Sequence, residues 1–176
     1  PYFLNAHALD EADFRWPYYL AQFYRQRGEP ARAIAEFVKA SQRNPQDVAS
    51  QVWLGELHLQ LGQAADAASA FERALGLQPT SVSARFGLGR AALANADHRA
   101  AVTHLEEVLT RDPTAVAAHY PLSLAYTALG QTAKADEHLK LRGSREILPA
   151  DPLMVALETV LDSPQSYETR GIRSLE

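Results

Sequence analysis

The sequence has 176 residues, of which 47% are hydrophobic and 22% charged, a balance typical of globular proteins and unlike that of disordered or fibrous chains. Its net charge of −4, with the basic residues spread along the chain, argues against a nucleic-acid-binding protein. The absence of cysteine excludes disulfides, thiolate metal sites and cysteine nucleophiles, and charged residues interrupt every apolar stretch, so we predict no membrane span.

An internal period organises the chain. Residues of one chemical type recur every 34 positions in several columns. The columns are Leu20, Leu54, Leu88 and Leu122; Ala21, Gly55, Gly89 and Ser123; Gly28, Gly62, Ala96 and Gly130; Ala33, Ala67, Ala101 and Ala135; Phe37, Phe71, Leu105 and Leu139; and Pro45, Pro79 and Pro113. A period of this length is the signature of a repeat architecture, so we predict a stack of similar units.

Each unit contains two stretches with helical periodicity. In the second unit these are Leu54, Leu57 and Leu61 in the first stretch, and Ala67 and Phe71 in the second. The small residues allow the two helices to approach closely, with the phenylalanine filling the space beside them. A glycine between the stretches favours a left-handed helix end. We therefore expect helix pairs that break at Gly28, at Gly62, near Asn95–Ala96 and at Gly130.

Prolines and small acceptor residues mark the boundaries between units. Pro45 and Pro113 are predicted to stop the second helix of their units, because the residue before a proline avoids helical geometry. The next units begin with Asp47, Ser81 and Thr114, whose side-chain oxygens are predicted to cap the following helix.

Pro121 lies inside the predicted first helix of the fourth unit. A proline there removes a backbone hydrogen bond and clashes with the carbonyl of Ala117. We therefore expect either a kink at Pro121 or a helix that begins late, near His119.

These columns resemble the tetratricopeptide repeat family, whose pattern is roughly W-x2-L-G-x2-Y, then G, then A-x3-F, A and P. The matching units are residues 14–47, 48–81, 82–115 and 116–149. The fourth departs after Leu139, with Arg142 and Ile147 in place of alanine and proline, and the family's tryptophan column is absent. The resemblance implies an all-α fold, a right-handed superhelical solenoid of antiparallel helix pairs.

Both ends of the sequence extend the repeat pattern. Residues 1–13 have Phe3 in register with the core column of Phe37 and resemble the tail of a preceding unit. Tyr167 and Gly171 match the opening of a further unit at residues 164–176. Residues 150–163 form an insertion whose amphipathic pattern predicts an extra helix. We expect the sequence to be part of a longer array.

No pattern in the sequence indicates an enzyme. Residues 87–89 read Gly-Leu-Gly, but they lie inside a predicted helix and follow no strand, which favours close helix packing over a phosphate loop. Neighbouring carboxylates such as Glu106 and Glu107 diverge by about 100° on a helix. The histidines show no ligand spacing typical of metal sites. We therefore predict no catalytic residue, no metal site and no cofactor.

The resemblance also implies where a partner binds. In tetratricopeptide arrays the first helix of each unit lines a concave groove, through the fifth, ninth and twelfth positions of the unit. Here the predicted groove residues are Tyr18, Gln22, Arg25, Val52, Glu56, Leu59, Phe86, Arg90, Leu93, Tyr120 and Leu124. We expect Phe86 and Tyr120 to be partly exposed, with Arg90 between them and the second unit. Family members that clamp a peptide carboxylate use lysine and asparagine at such positions, and this sequence has neither.

The function expected from this fold is non-catalytic binding of a protein partner, through a peptide or helix held in the concave groove. Two alternatives stay open. The array is an assembly module that drives self-association, or it is the non-catalytic arm of a larger enzyme and presents substrates to it. No nucleic-acid partner is expected.

Overall fold

The structure, a computed structural model, describes residues 13–161, and this range contains helices and no strand. The helices are α1 (Arg15–Gln26), α2 (Pro30–Arg43), α3 (Val48–Gln60), α4 (Ala64–Leu77), α5 (Val82–Ala94), α6 (His98–Arg111), a 3-10 turn (Val116–Ala118), α7 (His119–Ala128), α8 (Thr132–Leu141) and α9 (Pro152–Leu161). None of them is both long and apolar enough to cross a membrane.

The predicted end units lie outside this range. Of the tail at residues 1–13 only Asp13 is described, and the predicted further unit at residues 164–176 is not described. Helix α9 falls within residues 150–163, where the sequence predicts an inserted helix.

The helices form a solenoid of antiparallel pairs. The pairs are α1 and α2, α3 and α4, α5 and α6, and α7 and α8, and each pair also packs on the next. The first helices of adjacent pairs meet as well, α3 with α5 and α5 with α7. This confirms the all-α repeat fold, in which each unit buries its apolar stripe against its neighbours.

The breaks within the pairs fall where the sequence predicts them. Gly28, Gly62 and Gly130 have φ angles of 70°, 72° and 73°, in the left-handed region that ends a helix. Ala96 occupies the same column with a φ angle of 59°. Because a Cβ atom disfavours this region, Ala96 carries strain that the three glycines avoid.

Two of the three predicted helix caps are present. Asp47 Oδ2 accepts a hydrogen bond of 2.9 Å from the Ser50 amide at the start of α3, and Ser81 Oγ accepts one of 3.3 Å from Ala84 at the start of α5. The prediction for Thr114 is wrong. Its hydroxyl donates to Asp112 instead, because the first helix of the fourth unit begins several residues later.

Pro121 explains that late start. Residues Val116–Ala118 form a 3-10 turn, and α7 begins at His119, so that Pro121 lies in the first helical turn. At this place a proline needs no intrahelical hydrogen bond from its own nitrogen. The expectation of a delayed helix is confirmed.

Glycines at the contacts between helices determine how closely the repeats stack. The ring of Phe71 in α4 fills the space over Gly55 and Gly87, and a Cβ atom on either glycine would lie within 2.5 Å of it. A Cβ atom on Gly89 would likewise lie 2.7 Å from Cγ of Leu105. Residues 87–89 are therefore packing residues, as expected.

The chain leaves the repeat pattern after α8. Residues 142–151 are not helical. Ile147 packs against the core cluster that contains Leu105 and Leu122, whereas Leu153 and Met154 pack against the cluster that contains Tyr18 and Phe37. The segment therefore runs from the fourth unit back to the first.

Candidate functional site

The first helices of the four units form one continuous wall, and residues 144–149 run across it. A cavity of about 550 Å³ lies between them. Its wall includes Arg25 from α1, Leu59 from α3 and Arg90 from α5. On the other side of the segment lies a smaller cavity of about 270 Å³, beside the turns that precede α5 and α7. We call the wall formed by the first helices of the four units the groove.

The predicted groove residues differ in how far they reach the surface. Tyr120 and Leu124 on α7 are exposed, at 51% and 41% of the residue surface. This confirms the partial exposure expected for Tyr120. Five further residues are half-buried along the wall, namely Arg25, Glu56, Leu59, Arg90 and Leu93.

Four of the predicted residues are buried. Tyr18, Gln22 and Val52 are at most 2% exposed, and Phe86 is 8% exposed. The expectation that Phe86 is partly exposed is therefore wrong. Its ring belongs to the core cluster of α6 and α7, and the guanidinium of Arg90 lies 5.4 Å from the ring centroid. Val52 packs in the cluster beneath Phe71.

Arg90 joins two neighbouring units across the groove. Its Nη1 donates hydrogen bonds of 2.8 Å to both carboxylate oxygens of Glu56, which occupies the equivalent position one unit earlier. Arg90 therefore contacts both the second unit and the ring of Phe86. Both side chains are about one third exposed, so water screens this ion pair.

Arg25 supports the first end of the groove. Its guanidinium lies 4.0 Å from the ring centroid of Trp53, and its Nε donates a hydrogen bond of 2.8 Å to Gln22 Oε1. Burial lowers the pKa of Arg25, while the nearby Tyr18 and Asp151 oppose that change.

Asp151, whose role the sequence did not predict, accepts hydrogen bonds from three side chains of the groove wall. Its Oδ2 accepts hydrogen bonds from the Tyr18 hydroxyl at 2.5 Å, from Gln22 Nε2 at 3.0 Å and from Trp53 Nε1 at 3.0 Å. Burial raises the pKa of Tyr18 well above its usual value, and the hydrogen bond to Asp151 raises it further, so the hydroxyl stays a donor. Asp151 covers Tyr18 and Gln22, which explains part of their burial.

A second polar cluster lies at the other end of the array. His119 Nδ1 and His138 Nδ1 are 2.9 Å apart, and the ring of Tyr126 stacks on His138. Sequence spacing gave no sign of this pair, because the two histidines belong to different helices. Among residues 13–161 no group of three or more potential ligands is placed to hold a metal ion.

Two family models described as Tetratricopeptide repeat match the chain, at residues 18–82 and 92–143, which together cover more than half of it. A search of curated proteins finds no match.

Similar solved structures share the fold. MamA from Desulfovibrio magneticus RS-1 is 19% identical with a TM-score of 0.75, over 92% of this chain and 85% of that one. YrrB, described as a TPR protein with an unusual peptide-binding site, is 23% identical with a TM-score of 0.70, over 79% and 72%. TTC0263 from Thermus thermophilus is 23% identical with a TM-score of 0.64, over 73% and 72%. The repeat columns, the stacked helix pairs and the family models agree: the chain belongs to the tetratricopeptide repeat family, whose fold is a scaffold for protein–protein interaction.

Proposed function

We propose that this scaffold binds a peptide or helix of a protein partner in the groove formed by the first helices of its units. The observation that carries the proposal is the course of the chain's own segment, residues 143–151, along that wall. The Gly143 amide donates a hydrogen bond of 3.3 Å to the Val116 carbonyl, at the fourth unit. Asp151 is bound at the first unit. The wall therefore has the length and the chemistry to hold a peptide.

The distances favour an extended peptide. Three steps between packed helices of about 8–10 Å separate α7 from α1. The nine residues from Gly143 to Asp151 are joined by eight Cα–Cα steps, which reach at most about 29 Å. The segment must therefore be close to fully extended, and most of its side chains remain exposed.

The wall offers both apolar and charged contacts to a partner. Leu59 and Leu93 are half-buried apolar residues, and Tyr120 and Leu124 are exposed. Arg90 adds a cation whose pairing with Glu56 is open to solvent. Tyrosine and arginine are enriched among the few residues that supply most of the binding energy at protein interfaces.

The test is a peptide selected from a displayed library on the full chain, with its affinity then measured on variants. We expect Leu124→Ala and Tyr120→Ala each to weaken binding by about tenfold or more, which is roughly 1.4 kcal/mol. Leu139→Ala is the matched control, because Leu139 is a leucine of similar exposure, 38%, on the second helix α8. Equal losses in all three variants would contradict binding in the groove.

The alternative of self-association has one observation in its favour. Phe37, Phe71 and Leu105 are fully buried, whereas Leu139, in the same column, is exposed. In the described part of the chain no further repeat packs on α8. Sedimentation over a concentration series separates the two functions. A dimer that Leu139→Ala dissociates supports assembly through this end, and a monomer at all concentrations disfavours it.

A further inference from the structure

Three hydrogen-bond donors meet at one oxygen of the Asp151 carboxylate and form a pocket for it. Tyr18, Gln22 and Trp53 are 0%, 2% and 7% exposed, and each donates to the same oxygen, Oδ2. Two of the donors belong to α1 and the third to α3, so the pocket forms only where the first two units stack. None is a lysine or an asparagine, so the pocket differs from the carboxylate clamp of other family members.

Contacts other than those with Asp151 also hold the donors in place. Arg25 Nε donates to Gln22 Oε1, which turns the Gln22 amide nitrogen towards the pocket. The guanidinium of Arg25 lies over Trp53, and the ring of Tyr18 packs edge-on against Phe37, with 5.4 Å between centroids. Preorganised donors lose little conformational entropy on binding, which favours a specific ligand group.

The pocket is selective for an acceptor with negative charge. A tryptophan N–H can only donate, so it remains unpaired when no acceptor is present, and a buried unpaired donor is costly. The positive charge of Arg25, which interacts electrostatically with Asp151, favours an anion over a neutral amide at this place. An aspartate is therefore preferred to an asparagine, and both to an apolar residue.

The second oxygen of the same carboxylate begins a helix. Asp151 Oδ1 accepts a hydrogen bond of 3.1 Å from the Met154 amide, which makes Asp151 the cap of α9, with Pro152 in the first turn. Leu153 and Met154 then pack on the core cluster of the first unit. One residue thus couples the polar pocket to an apolar contact two and three positions later.

We propose that Tyr18, Gln22 and Trp53 form a subsite that recognises an aspartate at the start of a short helix in a partner peptide, and that Asp151 occupies this subsite in cis. The inference rests on the proposed function, because it requires that the groove binds a peptide. The chain's segment from Ser144 to Met154 is then an internal competitor that a partner must displace.

The tether determines how strongly the segment competes with a partner for the subsite. A ligand tethered by a short linker has an effective concentration on the order of millimolar. The apparent affinity of a partner equals its intrinsic affinity multiplied by the fraction of molecules in which the segment is released. Besides Asp151, the segment is held by the packing of Ile147, Leu153 and Met154 and by hydrogen bonds of Gly143 and Arg145 at the start of the fourth unit. Of these contacts only the packing of Leu153 and Met154 lies at the first unit, so weakening the Asp151 contact should release the segment there without unfolding the repeats.

The experiment uses the full chain and a labelled peptide with the sequence of residues 144–158, in which the residue equivalent to Asp151 is either aspartate or asparagine. We expect the Asp151→Asn chain to bind the aspartate peptide at least about tenfold more tightly than the unaltered chain does. The Glu158→Gln chain, which changes an exposed carboxylate of α9, should bind like the unaltered chain. The asparagine peptide should bind the Asp151→Asn chain about tenfold more weakly than the aspartate peptide.

A third variant distinguishes the subsite from its occupant. Trp53→Phe keeps a ring but removes the N–H donor. Hydrogen exchange of residues 143–154 should accelerate in both Trp53→Phe and Asp151→Asn. Only Asp151→Asn should gain peptide affinity, because Trp53→Phe damages the subsite itself. The melting temperature of each variant checks that the repeats are folded.

Three results would overturn the inference: equal binding of the two peptides by the Asp151→Asn chain, binding of neither peptide by that chain, or unchanged hydrogen exchange of the segment in it. The proposed function is judged separately, by the effects of Leu124→Ala and Tyr120→Ala on the selected peptide, so the failure of one can be told apart from the failure of the other.

Discussion

The ring of Phe71 lies so close to Gly87 of the next unit that a Cβ atom there would be 2.2 Å from Cε1 of the ring. Phe71 is fully buried and meets Gly55 on its other side, so the ring has no space to move aside. We expect Gly87→Ala to lower the free energy of unfolding by about 1–3 kcal/mol, the usual cost of overpacking a core. Denaturant unfolding monitored by circular dichroism measures it.

Gly76 is the matched control for that change. It also lies in a helix, α4, but an added Cβ atom would meet nothing within 4 Å. Gly76→Ala should therefore raise stability by up to about 1 kcal/mol, the difference in helix propensity. If both alanines had the same effect, the close packing over Gly87 would not limit stability.

Ala96 and Gly62 occupy equivalent positions with similar positive φ angles, 59° and 72°. Left-handed geometry costs a residue with a Cβ atom about 1–2 kcal/mol, and glycine avoids that cost. We expect Ala96→Gly to stabilise the protein by up to about 1 kcal/mol and Gly62→Ala to destabilise it by about 1 kcal/mol. Thermal unfolding of both variants shows whether each melting temperature rises or falls. Melting temperatures that shift in the same direction would contradict the strain at Ala96.

The stability should depend on pH through His104. Burial lowers its pKa below the ordinary value of about 6.5, and the neighbouring Arg85 lowers it further, while Glu107, Asp97 and Glu72 oppose both effects. The unfolded chain therefore binds the proton more readily than the folded one. This stabilising contribution is present above about pH 6.5 and is lost as the pH falls through that value towards the folded pKa.

The measurement compares the unaltered chain with His104→Gln between about pH 7.5 and 5.5, above the range in which carboxylates titrate. The unaltered chain should lose more stability over this interval than the variant. His119, whose pKa burial also lowers, is present in both proteins and contributes equally. Parallel curves for the two proteins would exclude His104 as a source of the pH dependence.

The sequence predicts features that depend on local chemistry. The helix breaks at Gly28, Gly62 and Gly130 follow from a backbone preference, and the late start of α7 follows from the missing donor of Pro121. The caps by Asp47 and Ser81 belong to the same class. The predicted cap by Thr114 is absent, because Pro121 delays the start of α7 beyond the amides that Thr114 could cap.

The groove was harder to predict, because exposure depends on what another part of the chain covers. The repeat columns placed Tyr18 and Gln22 on the groove wall, but not beneath Asp151, 133 and 129 residues further along. The one local sign was an aspartate followed by proline and an apolar run, which marks the start of a helix. It predicts α9, but not its contact with the first unit.

The last prediction compares three aromatic rings, of which the sequence predicts Phe86 and Tyr120 in the groove and Phe71 in the core. Phe71 is fully buried, Phe86 is 8% exposed and Tyr120 is 51% exposed. Phe71→Ala should cost about 3–5 kcal/mol of unfolding free energy, because it leaves a cavity. Phe86→Ala should cost a similar amount, since its ring packs in the cluster of α6 and α7.

Tyr120→Ala should cost less than about 1 kcal/mol, because half of the side chain is already in water. If a partner covers that exposed half, Tyr120→Ala should weaken binding while the melting temperature stays nearly unchanged. A loss of binding in Phe86→Ala carries no such meaning, because the core itself is altered. Affinity and melting temperature are therefore measured together on all three variants, with the library-selected peptide. A Tyr120→Ala variant that binds normally would remove this aromatic contact from the groove, and one that melts as early as Phe71→Ala would assign Tyr120 to the core.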